Sequence, residues 1–153
     1  MEKHCIHSLF YDLEQTSRVC RAFAESHFKN NINYDITLDE FIILETVFCY
    51  PDICQRDLAK LILKGTSHTS KLLNTLQKKN YIKRVLDTKN NRIVNKIIIT
   101  DLGAEVYKNA KKIALEYAVH IENIVGAKQA KECSKFLHKI KNTVTETTEI
   151  IFE

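Results

Sequence analysis

Residues that interrupt regular structure are scarce in this sequence, which has three glycines and one proline among 153 residues. A chain with so few interruptions favours long helices. Long apolar runs are also missing: the longest, such as residues 97–99, are far too short to cross a bilayer, and no signal-peptide pattern follows Met1. We therefore expect a cytoplasmic protein that has no membrane partner.

Motifs for catalysis and for metal binding are missing as well. The sequence contains no glycine-rich phosphate loop, no nucleophile elbow and no dedicated zinc spacing. We expect neither an enzyme nor a bound cofactor. The five cysteines form no CxxC pair, and their odd number suits reduced thiols better than a secreted disulfide framework.

Positive charge is concentrated in the middle of the chain. Residues 56–96 contain eleven basic and two acidic residues, a local net charge of +9, whereas the whole chain carries +4. Such a cluster is often only a solvated face. The order of the elements inside it decides between that reading and a nucleic-acid contact.

Hydrophobic periodicity predicts a mainly α fold with a small β-wing. An amphipathic helix should cover residues 8–28 and end at the two asparagines that follow. Thr37 and Glu40 have the spacing of a capping box, which predicts a second helix running to about Cys49.

A helix, a turn and another helix follow Pro51. Leu58, Leu61 and Ile62 mark one face of the short third helix. After Lys64-Gly65, the fourth helix should turn three leucines inward, and these are Leu72, Leu73 and Leu76.

A β-hairpin and two long helices complete the chain. The period changes to two beyond Asn80, which predicts strands near 82–86 and 93–99 with a polar loop at 87–91. Thr100 can cap a long helix that Gly126 ends, and a last helix begins near Lys128. Because no linker or repeat appears, we expect a single domain over residues 1–153.

The start of the fourth helix has the chemistry of a major-groove reader. It presents small or hydrogen-bonding side chains before the leucines begin on the opposite side, and its amides can hold a phosphate. The predicted DNA-binding residues are Thr66, Ser67, His68, Ser70 and Lys71. Thr66 and Ser67 are also expected to cap the helix.

The hairpin supplies a second set of predicted DNA contacts. Arg84, Lys89 and Arg92 can lie along a minor groove or its phosphates, where a narrow groove attracts arginine. A basic hairpin alone is weak evidence, but helix, turn, polar helix and basic hairpin in succession favour binding to double-stranded DNA. The alternative is a winged-helix module whose basic face contacts an acidic protein.

Residues spread over positions 37–103 resemble the MarR family of winged helix-turn-helix transcriptional regulators. The matching residues are Leu58-Ala59, Ser70-Lys71-Leu72-Leu73 with Leu76, Lys78-Lys79, Ile82-Lys83-Arg84, Arg92, Ile99-Thr100 and Gly103. The resemblance departs at the wing tip, where Asn90 and Asn91 stand in place of an aspartate and its neighbour. Asn80 replaces a glycine before the first strand, and asparagine also tolerates left-handed backbone.

The resemblance implies a homodimer acting on a pseudo-palindromic operator. Residues 37–100 would be the DNA-binding lobe, and residues 1–30 and 101–153 would form the helical dimerisation region. Family members are mostly repressors released by a phenolic ligand, an oxidant or a metal, so a small aromatic ligand is an expected partner.

A thiol is the alternative input. Cys5 lies between His4 and His7, which would favour a reactive thiolate, and a cysteine near the first helix is the sensor in peroxide-responsive relatives. Cys5 is therefore a candidate redox sensor. The other cysteines, at positions 20, 49, 54 and 133, are expected to be small packed side chains.

Overall fold

The computed structural model describes residues 6, 8–89 and 92–147, with the backbone alone at Lys89, Arg92 and Thr147. Within them, six α-helices surround one two-stranded antiparallel sheet. The elements are α1 (Leu9–Asn31), α2 (Leu38–Cys49), α3 (Gln55–Leu61), α4 (Thr66–Lys78), β1 (Ile82–Lys89), β2 (Arg92–Ile99), α5 (Asp101–Val125) and α6 (Ala127–Thr147). The predicted mainly α fold with a β-wing is confirmed.

Side-chain caps fix the starts of three helices. The Ser8 hydroxyl accepts from the Tyr11 amide at α1, and the Thr100 hydroxyl accepts from the amide of Gly103 at α5. At α2, Thr37 and Glu40 form the predicted capping box. Each cap satisfies an amide that has no partner inside its helix.

The first helix ends at its second asparagine, slightly later than the predicted end near residue 28. It continues through Asn31, whose side-chain amide donates to the carbonyl of His27 at 2.7 Å, and ends where Ile32 becomes extended. The side chain folds back onto the helix instead of offering the backbone a competing turn.

The core lies in a central lobe, which we define as residues 28–110. It is built from α2, α3, α4, the base of the hairpin and the first half of α5, and every buried apolar side chain of the described residues belongs to it. Leu58 is fully buried as predicted, but Leu61 is half exposed, so the inward face of α3 is formed by Leu58 and Ala59. Ile62, the C-cap of this helix, is partly buried against the core as predicted.

A close backbone approach joins the hairpin to α5. Asn80 has a φ of 60°, the left-handed conformation expected there, and this turns the chain into β1. The carbonyl oxygen of Tyr81 then lies over Gly103, where an added Cβ would be only 1.9 Å from that oxygen. Only glycine allows this approach.

The hairpin is longer than its predicted strands. Its ladder runs in register from Ile82 opposite Ile99 to Lys89 opposite Arg92, so residues 87–89 are paired instead of looped. Ile53, just before α3, accepts from the amide of Ile97 at 3.3 Å and anchors β2 to the helix-turn-helix. Polar side chains at 87–89 were therefore a poor guide to where the strand ends.

Outside the lobe, three helical segments carry large apolar side chains that stay exposed. We call residues 9–27, 111–125 and 127–146 the outer helices; no side chain within them is fully buried. The exposed apolar residues there are Leu9, Phe10, Tyr11, Val19, Phe23, Leu115, Val119, Ile124, Val125, Phe136, Leu137 and Val144. None of the described helices is long and apolar enough to cross a membrane.

Candidate nucleic-acid interface

The start of α4 exposes polar side chains to solvent. Thr66, Ser67 and His68 are exposed, whereas Thr69 is fully buried and its hydroxyl donates to the carbonyl of Gly65 at 3.0 Å. The helix begins with Gly65 as its N-cap and without a capping side chain, so the expectation that Thr66 and Ser67 cap it is wrong. Their hydroxyls face outward from the first turn.

The two sides of α4 differ as a groove-reading helix requires. Leu73 and Leu76 are fully buried and Leu72 is half buried, which places the predicted leucine face in the core. Ser70 is half exposed and Lys71 is exposed, one turn beyond His68. Within the described part of the chain, no carboxylate lies within ion-pairing distance of Lys71. Its ammonium group can therefore meet a phosphate without breaking an existing ion pair.

Arg84 belongs to the junction between the wing and α4. Its guanidinium donates to the side-chain oxygens of Gln77 at 2.6 Å and Asn74 at 2.5 Å, both on the exposed side of α4. Arg84 therefore joins the base of the hairpin to α4 and is held beside that helix.

The predicted wing-tip contacts are placed by register alone. Lys89 and Arg92 face each other as the last pair of the ladder, which puts two cations at the far end of the hairpin. The side chains of these two residues, and all of Asn90 and Asn91, lie outside the described residues. Their DNA contacts stay a prediction.

Other lysines of the basic segment are held by carboxylates. Lys96 lies 2.7 Å from Asp52, and the hydrogen bond between them raises the pKa of Lys96. Lys64 donates to Asp39 at 3.1 Å, and Lys79 donates to Glu40 at 3.0 Å. The local charge of this segment therefore overstates how many cations are free for DNA.

Two carboxylates at the start of α2 contact α4 and its flanks, and the sequence reading missed both roles. Glu40 is almost completely buried, where it accepts from Lys79 and from the Thr37 amide. Asp39 accepts from Arg21 of α1 and from Lys64, and His68 lies 3.8 Å away. The sequence pattern assigned Glu40 to a capping box and gave Asp39 no role, because the basic partners of both residues are 18 to 39 residues distant in sequence.

Asp39 and Lys79 keep their charges in the folded protein. Partial burial raises the pKa of Asp39, but hydrogen bonds from Arg21 and Lys64 outweigh it and leave the pKa below its ordinary value. Burial likewise lowers the pKa of Lys79, and the hydrogen bonds to Glu40 and Asp35 more than compensate, so its pKa is raised.

Comparison with known proteins agrees with this arrangement. Residues 36–94, from the second helix through most of the hairpin, match the sequence model of the MarR family. The chain is similar to the MarR family over these residues, which make up less than half of its length. Members of this family are transcriptional regulators. Curated protein sequences give no significant match to the chain.

Solved structures show that the MarR-like fold extends well beyond residues 36–94. The MepR–DNA complex of S. aureus is 19% identical, with a TM-score of 0.77 over 92% of this chain and 99% of that one. PcaV of Streptomyces coelicolor, bound to its natural ligand, is 13% identical, with a TM-score of 0.76 over 93% and 98%. A mutant MarR of E. coli with operator DNA is 17% identical, with a TM-score of 0.73 over 87% and 98%.

A cavity of about 630 Å³ opens beside α4. Phe28, Ile36 and Leu72 supply apolar walls, and Arg21 and Lys29 of α1 supply cations. Arg21 is paired with Asp39 and Glu25, whereas Lys29 is exposed and has no ion pair among the described residues. The sequence reading named no pocket residues, because the cavity forms between α1, the following loop and α4.

The cysteines of the MarR-like chain fall into three environments. Cys54 is buried at the N-cap of α3, and its thiol donates to Asp57 at 3.0 Å, so it packs there as expected. Cys20 is half buried, but Cys49 and Cys133 are exposed, which contradicts the expectation that they pack away. Cys5, the candidate redox sensor, lies outside the described residues and stays a prediction.

Proposed function

We propose that this protein is a sequence-specific regulator of transcription that binds duplex DNA as a homodimer. The observation that carries the proposal is the exposed polar start of α4: Thr66, Ser67 and His68 make no internal cap, and Lys71 has no ion pair in the described part of the chain. Polar groups left free at the start of a recognition helix are those that can reach base edges. The DNA complexes of S. aureus MepR and E. coli MarR support this proposal.

The proposed contacts divide by chemistry. Thr66, Ser67, His68 and Ser70 would meet base edges in the major groove, because hydroxyls and imidazole can both donate and accept. Cations would hold the backbone, and the residues assigned to phosphate or minor-groove contacts are Lys71, Arg84, Lys89 and Arg92. Arg84 is already bound to α4, so its contribution includes holding the wing beside that helix.

Homodimerisation is supported by the apolar surface of the outer helices. Exposed apolar residues recur along one stripe of α6, at Phe136, Leu137 and Val144, and further ones lie on α1 and α5. Soluble chains rarely leave so many large apolar side chains in water, and a second copy offers the same surface. Two-fold symmetry then predicts an inverted-repeat operator with half-sites about 10 bp apart.

We further propose that the regulator is a repressor released by a small aromatic ligand. The cavity beside α4 offers apolar walls, and its lining carboxylates, Glu25, Asp35 and Asp39, are all ion-paired. Lys29 has no ion pair among the described residues, so the cavity suits an aromatic body with an anionic group. Because Leu72 of the recognition helix forms part of the wall, an occupant would bear directly on α4. The ligand-bound structure of PcaV supports a ligand-responsive role.

A binding selection from genomic DNA fragments tests the proposal. Purified protein should enrich an inverted repeat, and the His68→Ala variant should change the preferred bases at fixed positions. Enrichment of no sequence would overturn sequence-specific binding and favour a module that contacts an acidic protein.

Repeating the selection with peroxide tests the alternative input. If peroxide abolishes enrichment by the wild-type protein but not by the Cys5→Ser variant, Cys5 is the sensor. Enrichment indifferent to peroxide leaves release to a ligand, and phenols and aromatic acids should then weaken operator binding. The Lys29→Ala variant should need a higher ligand concentration than the wild type.

A further inference from the structure

The first turn of α2 holds both ends of the recognition helix. Asp39 receives a hydrogen bond from Lys64, which directly precedes the N-cap of α4, and Glu40 receives one from Lys79, the C-cap of the same helix. Neighbouring residues of one turn therefore contact opposite ends of α4. Asp39 and Glu40 differ in their other contacts.

Asp39 also reaches out of the central lobe. Its Oδ1 accepts from the guanidinium of Arg21 at 2.5 Å, while its Oδ2 accepts from Lys64 at 3.1 Å and lies 3.8 Å from Nε2 of His68. The carboxylate is only 20% exposed. A continuous chain of charged contacts therefore joins α1 to the start of the recognition helix.

Apart from these ion pairs, the start of α4 is held by the buried Thr69, which donates to Gly65, and by the Lys64 amide, which donates to the carbonyl of Ala59. No side chain caps it, and Leu63 just before it has a left-handed backbone, with a φ of 53°. Glu40, by contrast, is buried and belongs to a capping box of its own helix. A shift of α4 at its N-terminal end would move His68 relative to the bases, whereas a shift at its C-terminal end would move residues that face away from them.

We propose that Asp39 is a positioning residue, which fixes the start of the recognition helix relative to α1 and so sets how accurately His68 and its neighbours meet base edges. The proposal rests on the proposed DNA-binding function. Because α1 belongs to the surface assigned to the dimer, the same contacts would fix each recognition helix relative to its twin. Asp39 itself need not touch DNA.

The test compares specific with non-specific binding in the Asp39→Asn variant. Loss of a negative charge near the interface strengthens attraction to any duplex, so a residue without a positioning role would leave the ratio of operator to random-DNA affinity unchanged. We expect that ratio to fall about tenfold, because misplaced base contacts affect only the operator. An unchanged ratio would overturn the proposal.

Asp35→Asn is the matched control. It removes the same charge from an 83% exposed carboxylate that contacts Lys79 at the other end of α4, and it should leave the ratio near the wild-type value. Arg21→Gln breaks the same chain of contacts at its far end, so it should lower the ratio, and the double variant with Asp39→Asn should lower it no further. Fully additive losses would show that the two residues act independently and would overturn the link to α1.

Hydrogen exchange supplies a readout that needs no DNA. In full-length Asp39→Asn protein, amides of residues 64–70 should exchange about tenfold faster, while those of the α4 C-terminus should be unaffected. Equal exchange in the two proteins would refute the positioning role. If the wild type selects no sequence, the proposed function fails, and this measurement still decides whether Asp39 holds the helix.

Discussion

The central lobe and the outer helices both carry large apolar side chains, but among the described residues only the lobe fully buries any of them. In the lobe, side chains such as Leu44, Leu58 and Leu73 are fully buried against elements of the same chain. In the outer helices, Phe10, Val19 and Ile124 are at least two-thirds exposed. The lobe has its own core, whereas no side chain of the outer helices is fully buried.

A single chain buries the core of the lobe but leaves many apolar side chains of the outer helices exposed. The outer helices do contact each other, since the Tyr117 hydroxyl donates to the carbonyl of Cys20 at 2.9 Å and the Phe23 ring packs on that of Tyr117. Such contacts orient α1 against α5 without covering the apolar faces that remain. A second copy of the chain offers the same apolar faces, so the proposed dimer would cover them. The lobe would then be the region that contacts DNA.

Replacing Gly103 by alanine should produce the largest loss, and it should fall on the lobe. The new methyl would meet the Tyr81 carbonyl oxygen at 1.9 Å, which the backbone cannot relieve without moving the hairpin away from α5. We expect a loss of about 3 kcal/mol in the free energy of unfolding, measured by urea denaturation. Lys108→Ala, at an exposed position of the same helix, is the control. Wild-type stability in Gly103→Ala would mean that the hairpin and α5 are not joined in this way.

A charge on the outer helices should break the dimer and leave the lobe folded. Phe136→Asp would place a carboxylate in the proposed interface and should weaken self-association about a hundredfold or more, as measured by analytical ultracentrifugation. Leu61→Asp, at a similarly exposed apolar position in the lobe, should keep the wild-type oligomeric state. Dissociation by Leu61→Asp instead of Phe136→Asp would reverse the assignment of the two regions.

Removing one lysine from each region should separate DNA contact from bulk charge. Lys71→Gln on α4 should weaken binding to all duplexes and reduce the slope of log affinity against log salt by about 1. Lys131→Gln removes the same charge from an exposed position of α6 and should leave that slope unchanged. Equal slopes for the two variants would indicate that only net charge matters.

The smallest expected effect is a pH dependence at the contact that joins the two regions. Burial raises the pKa of Asp39, but hydrogen bonds from Arg21 and Lys64 leave it below the ordinary 3.8. A lowered folded-state pKa stabilises the protein above the unfolded value, and this contribution is lost as pH falls through the folded value. The difference in unfolding free energy between wild type and Asp39→Asn should therefore be constant at neutral pH and shrink below 3.8. A difference that does not change in acid would contradict the ionic role of Asp39.

Local signals predicted most of the fold. The capping box of Thr37 and Glu40, the cap at Thr100 and the stop at Gly126 all occur where the sequence placed them. The differences are local too: α1 includes both asparagines before it ends, because Asn31 bonds back to the helix, and paired residues at 87–89 extend the strands. A local sequence signal fails where polar residues are compatible both with regular structure and with a turn or loop.

The candidate site was predicted less completely. The outward placement of Thr66, Ser67 and His68 followed from the polar run before the leucines. The attachment of Arg84 to Asn74 and Gln77 did not, because a strand residue and a helix residue meet only after the hairpin packs on α4. Exposure of Cys133 was missed for the opposite reason: its stripe is apolar, but the described chain provides nothing to cover it.

The sequence by itself determined the order of the elements, the caps at Thr37 and Thr100 and the basic segment, because each depends on residues within a few positions of one another. The tertiary structure alone decided which charges are free. It paired Lys64 with Asp39 and Lys79 with Glu40, across 25 and 39 residues, and left Lys71 without an ion pair among the described residues. Charge is a property of composition, but its availability depends on which helices pack together, and no local pattern encodes that.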